Sequence, residues 1–126
     1  MEIYHLAATK KTPKIILDHN KGYFEFSGIA MPEDTVAFFG PLLKTVSDYF
    51  DACDKDITFH FSVYYFNSLS SKMLYELFKL IENKHKSGKT TRIEWIYEED
   101  DESMEEAGKL FLESVEVPSE MILSES

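Results

Sequence analysis

Between residues 57 and 65 every second side chain is large and apolar: Ile57, Phe59, Phe61, Val63 and Tyr65 alternate with Thr58, His60, Ser62 and Tyr64. A period of two over this length marks a β-strand with one buried face, because a helix would scatter the same residues around its circumference. The alternation recurs at 22–27, where Phe24 and Phe26 oppose Tyr23, Glu25 and Ser27. It recurs again at 92–97, where Ile93, Trp95 and Tyr97 oppose Arg92, Glu94 and Ile96. Strands covered by helices on both sides read as continuous apolar runs. Alternation in nearly every strand therefore predicts a small mixed sheet with its helices mainly on one face.

The remaining elements follow from spacing. Residues 2–8 read as a strand, and 14–18 with 22–27 as a hairpin around His19, Asn20 and Lys21. Pro32 predicts the first position of a helix, with Glu33 and Asp34 in its first turn. Val36, Phe39, Leu43, Val46, Phe50 and Cys53 keep helical spacing, and Gly40-Pro41 predicts a kink or a split. Leu69, Met73, Leu77, Leu80 and Ile81 form a second stripe, ending before Gly88. Lys84, Lys86, Lys89 and Arg92 around that glycine read as cations complementing the helix end. A last helix is expected at about 101–115, with Met104, Ala107, Gly108, Phe111 and Val115 inward and Ser103 with Glu106 as a capping box. Gly108 in a helix interior costs roughly 1 kcal/mol against alanine, which predicts a close contact there. The element order is strand, strand, strand, helix, strand, helix, strand, helix. It gives an α/β (α+β) domain with a mixed four- to five-stranded sheet over residues 1–126.

At 126 residues and 44% hydrophobic content the chain is long enough to build a core without staples. The N-terminus has no uninterrupted apolar stretch and no membrane-spanning run occurs, so a cytoplasmic location without membrane insertion is expected. Cys53 is the single cysteine, which excludes an intrachain disulfide and fits a small core residue. Charge is unevenly spread. Residues 94–126 hold twelve acids against Lys109 alone, a charge of −11, while residues 1–93 sum to +1. Nucleic acid is thereby disfavoured as a partner, since Lys and Arg supply most of that affinity. The acid-rich end reads as a solubilising face or as a surface that steers a basic partner.

Candidate chemistry is sparse. His5, His19, His60 and His85 have no recurrent metal spacing, and the run from Glu98 to Glu102 lacks the alternating ligands and central glycine of a calcium loop. No phosphate-binding glycine loop, nucleophile elbow or zinc-protease motif is present. No metal or cofactor is expected, and a small metal-dependent enzyme using the acidic loop with His60 or His85 stands only as a remote alternative. The sequence YFNSLSSK (65–72) is more informative, because three serines gather where a strand hands over to a helix. Capping by Asn67, Ser68, Ser70 or Ser71 satisfies one local need; three serines exceed it.

Four stretches carry a family resemblance: ATKKTPKI (8–15), GIAMPED with the following FFGP (28–41), YFNSLSSK (65–72) and IEWIYEEDDESMEEAG (93–108). In this succession the chain resembles the SiaC family of bacterial regulatory phosphoproteins, whose fold is like that of STAS-domain anti-sigma factor antagonists. The resemblance implies a non-enzymatic switch. A partner protein kinase phosphorylates the hydroxyl after the Phe-Asn pair, a protein phosphatase removes the phosphate, and the unmodified form binds and activates a diguanylate cyclase. That hydroxyl is Ser68 here, followed by Leu69 where the family usually has threonine and further serines. Asn67, Leu69, Ser70, Ser71 and Lys72 are the expected partner-binding residues around it. The competing expectation is an interaction domain of the same fold whose serines only cap a helix.

Overall fold

A computed structural model describes residues 1–125. One sheet contains β1 (Tyr4–Leu6), β2 (Lys14–Asp18), β3 (Tyr23–Ala30), β4 (Ile57–Phe66), β5 (Thr91–Tyr97) and β6 (Ser119–Leu123), neighbours in space as in sequence. The first three strands pair antiparallel; β3 with β4, β4 with β5 and β5 with β6 pair parallel. Each parallel step is bridged by a helix: α1 (Thr35–Ala52), α2 (Ser68–Lys86) and α3 (Glu102–Glu113). Three right-handed crossovers that all step the same way along a sheet bring their helices to the same face. The core reflects this. Phe24, Phe26, Phe59, Phe61, Ile93 and Trp95 are fully buried towards the helices, and the alternate residues Glu25, His60 and Glu94 lie half-covered on the open face.

The sheet has six strands where four to five were expected. The missed strand, β6, is short, and its sequence SEMIL lies in the acid-rich end that reads as solvated surface. It is held by pairing with β5 and by Arg92, which bridges Glu94 and Glu120 across the two strands.

Helix boundaries are set by side-chain caps more than by proline. Asp34, not Pro32, begins α1: its Oδ1 accepts from Ala37 N–H at 3.0 Å, and Pro32 is buried ahead of the helix. Pro41 does not split α1. It occupies an exposed position, and the ~3 kcal/mol cost of an interior proline is outweighed by the continuous buried row Phe39, Leu42, Val46 and Phe50. Asp101, not a Ser103–Glu106 box, caps α3, accepting from Met104 N–H at 3.1 Å. Gly88 closes α2 at φ +114°, as expected of a helix-ending glycine. Two of the cations near it serve a different helix. Lys84 pairs with Asp51 at 2.7 Å, and Lys89 donates to the Cys53 carbonyl at 2.7 Å, so both stabilise the end of α1. Gly108 meets its expected close neighbour: a Cβ there would lie 2.3 Å from Trp95 Cδ1.

Candidate functional site

The parallel strands β3, β4 and β5 all end at one edge of the sheet, where the loops into α1, α2 and α3 gather. Asn67 N–H donates to the Ala30 carbonyl at 3.3 Å, and Met31 N–H to the Lys11 carbonyl at 2.8 Å, tying the loops together. The serine stretch stands at the centre of this edge.

One irregularity shapes it. Gly28 pairs with Val63 and Ile29 with Tyr65, so Tyr64 is an extra residue in β4. The bulge breaks the alternation, and Tyr65, expected on the buried side, is exposed together with Tyr64. Two neighbouring tyrosines thus face solvent just ahead of α2.

The hydroxyls around the start of α2 have separate fates. Asn67, in extended conformation, caps the helix: its Oδ1 accepts from Ser70 N–H at 2.9 Å and its carbonyl from Ser71 N–H at 2.9 Å. Ser71 Oγ donates to the Ser68 carbonyl at 2.9 Å. Ser70 is fully buried, so its side chain presents nothing to a partner, contrary to its expected role: the third helical position turns into the core. Ser68 is the first residue of α2 and is exposed, with no hydrogen bond to its hydroxyl among the described residues. Leu69 is 59% exposed, and Lys72, one turn after Ser68, is also exposed. The capping duty falls to Asn67 alone. Asn67→Ala is expected to cost about 1 kcal/mol of stability, read as a lowered urea midpoint at unchanged slope.

Beside this edge, α2 and α3 enclose an apolar trough of about 310 Å³ lined by Phe66, Tyr75, Ala107, Leu110 and Phe111, with Ser71 and Ser114 completing it. Lys79 donates to the Ser114 carbonyl at 3.0 Å and holds the helices together at one end. The trough is not legible in the sequence, since Tyr75 and Leu110 are single apolar residues on otherwise polar helix faces.

The groups kept for a metal enzyme are not brought together. His60 Nδ1 lies 3.1 Å from Glu94 Oε1 and its ring stacks on Tyr23 at 4.4 Å, all on the open sheet face. His85 lies near the end of α2, which precedes β5, and the acidic loop 98–101 follows β5, at the opposite end of that strand. Among the described residues no group of three or more His, Cys, Asp or Glu is placed to hold a metal ion.

The open face instead holds a hydrogen-bonded network. Tyr23 Oη donates to Glu25 Oε1 at 2.6 Å, while Lys14 and Ser27 bond Glu25 Oε2. Burial, then the bond to Glu25 and the charges of Glu25 and Glu94, push the Tyr23 phenol up to about 12. Burial alone would raise the Glu25 carboxyl, but bonds from Tyr23, Lys14 and Ser27 outweigh it and hold it below the usual range. A phenol raised above its unfolded value stabilises the fold fully below about pH 10, and that contribution is lost as pH rises through 12. Titration followed by tyrosinate absorbance should show a step near pH 12 that Tyr23→Phe removes and Glu25→Gln moves towards 10.

These features define a class: a mixed α/β domain with one open sheet face and an exposed serine hydroxyl at a helix start. A family model for the SiaC family regulatory phosphoprotein matches residues 6–123, and the chain belongs to this family. The expected mixed α/β sheet with its helices on one face holds, with six strands in place of four to five. The fold matches the crystal structure of apo-SiaC from Pseudomonas aeruginosa with a TM-score of 0.85 at 24% identity, over 97% of this chain and 99% of that one. It also matches SiaC in the crystal structure of the diguanylate cyclase SiaD in complex with its activator SiaC, from the same organism, with a TM-score of 0.87 at 23% identity, over 96% and 99%. An uncharacterized protein of Pseudomonas aeruginosa strain UCBPP-PA14 is 25% identical over 118 residues, 94% of either chain. Among the described residues no helix is long and apolar enough to cross a membrane.

Proposed function

We propose that the protein is a non-catalytic cytoplasmic switch: a kinase phosphorylates Ser68, a phosphatase reverses it, and the unmodified form binds and activates a diguanylate cyclase. The observation that carries this reading is the division of labour at the start of α2. Asn67 caps, Ser70 is buried, Ser71 is bonded to the helix backbone, and only Ser68 is exposed without a structural duty. The same observation counts against an interaction domain whose serines merely cap. Membership of a regulatory phosphoprotein family and the SiaD–SiaC complex support the choice of modification and of partner.

The position suits a phosphate. At a helix start the N–H groups of the first residues have no carbonyl partners, and Lys72, at i+4 from Ser68, supplies a nearby cation. Unmodified Ser68 lies among the exposed apolar residues Tyr64, Tyr65 and Leu69, a surface a partner can cover. Intact mass of the purified chain after incubation with cell extract and ATP should rise by one phosphate, located on Ser68 by peptide mapping. No addition, or addition elsewhere, would contradict the proposal.

A further inference from the structure

We propose that the outer edge of β6 pairs antiparallel with β6 of a second copy of the chain, joining two sheets across a two-fold axis. The inference stands apart from the Ser68 switch. Ile93 N–H donates to the Pro118 carbonyl and Ser124 N–H to the Tyr97 carbonyl, so the even-numbered residues of β6 direct their main-chain groups to β5. In such a ladder the intervening residues Ser119, Met121 and Leu123 turn their N–H and C=O groups outward. Among the described residues no strand lies beyond β6, and its register with β5 is regular. Bulges, lysines and outward-facing prolines are the usual guards of an open edge. The strand, SEMIL, contains none of them, and Pro118 ahead of it faces β5.

The strand suits a copy of itself. With the axis at Met121, Ser119 stands opposite Leu123 and Glu120 opposite Ile122, so no acid faces an acid directly. The two Glu120 carboxylates lie on a diagonal, each already bridged to Arg92 of its own chain. Leu123, 48% exposed, shares the helix side with Met121. There Met121, Ser119 and Glu120 line a groove of about 260 Å³ with Lys109, Leu112 and Glu113 of α3. As a crossover helix α3 runs against β6, and the axis sets it antiparallel to its counterpart. Lys109 and Glu113, one turn apart beside the groove, then meet the opposite charge of the other chain twice over. Of the neighbouring charges, Glu105 pairs with Lys109, Glu116 with Lys86, and Glu94 with Arg92. Glu106 has no cation among the described residues and opposes the association, as does the small extent of the paired strands. The dimer is therefore a weak one.

Sedimentation of the full chain should give the mass of one chain at ~5 µM and rise towards two at ~500 µM, the range of an interface below the ~1,200 Å² of stable complexes. Over the same dilution series the amide signals of Ser119, Met121 and Leu123 should shift. Lys109→Glu and Glu113→Lys each place like charges across the axis and should weaken self-association about tenfold. Mixed in equal amounts, the two variants should regain native association as a heterodimer, because every pair across the axis is then opposite in sign. Both residues are exposed, so Tm stays within a few degrees. Ser68→Asp should dimerise as the native chain does, since Ser68 lies at the loop edge and not beside β6. A single-chain mass throughout, growth beyond two chains, shifts confined to other elements, a mixture no better than either variant alone, or loss of the dimer in Ser68→Asp would overturn the proposal.

Discussion

Ser68→Asp is expected to weaken binding of a SiaD-type diguanylate cyclase by two orders of magnitude or more, while Ser68→Ala binds as the native chain does. The size follows from where the charge sits. At the start of α2 a negative group gains favourable helix-dipole energy, typically under ~1 kcal/mol, against a global stability of order 5 to 15 kcal/mol. The fold therefore stays as it is, and Tm should move by no more than a few degrees. Under a docked partner the balance reverses. Ser68 is followed by exposed Leu69, so covering it strips water from a charge that the first N–H groups of α2 and Lys72 compensate only in part. Such desolvation costs several kcal/mol, and ~1.4 kcal/mol is tenfold in affinity, which gives roughly a hundredfold loss at ~3 kcal/mol. Isothermal titration of each variant against the cyclase, with far-UV circular dichroism to show an unchanged fold, measures both halves.

Gly108→Ala should destabilise the protein by about 2 kcal/mol, although alanine is the better helix former by about 1 kcal/mol. The new methyl would lie 2.3 Å from Trp95 Cδ1 and 2.4 Å from its Nε1. Trp95 cannot yield, because it is fully buried among Phe61, Phe78 and Phe111 and its Nε1 donates to the Met104 carbonyl at 3.0 Å. Helix α3 must move outward instead, loosening the stack of Phe111 on Phe78 at 5.0 Å. The sign is decisive: a solvent-facing helical glycine would gain stability from the same change. Thermal unfolding should show a drop of several degrees. Gly108→Val, larger and β-branched, should cost more.

The sequence was a good guide where one face of an element is uniformly apolar. The alternation of Phe24–Phe26, Ile57–Val63 and Ile93–Trp95 specified strands and a one-faced sheet, and the helical stripes specified the helices that cover it, although Val36 and Leu69, read on the stripes of α1 and α2, are exposed at the first turns of their helices. Legibility ended where a local device overrode the period. The bulge at Tyr64 moved Tyr65 to the surface, which no run of residue types announces. Helix α1 starts at Thr35 behind its cap Asp34 and not at Pro32, and Asp101 took the cap expected of Ser103 with Glu106, because several polar residues near a helix start compete and the loop's path decides. Strand β6 has weak alternation of its own and exists by pairing with β5. At the site, YFNSLSSK marked the place, but three serines in one turn are equivalent on paper. Only the helix rotation, which buries Ser70, bonds Ser71 and frees Ser68, separates them.

On the function proposed above, phosphate on Ser68 decides whether the partner binds. Its most direct measurement is a titration of a diguanylate cyclase of the SiaD type with the full chain carrying phosphoserine at position 68, beside the unmodified chain. Tight binding and raised cyclic-di-GMP synthesis are expected with the unmodified form, and an affinity at least a hundredfold lower with the phosphorylated one. Equal affinity and equal activation by the two forms would contradict it.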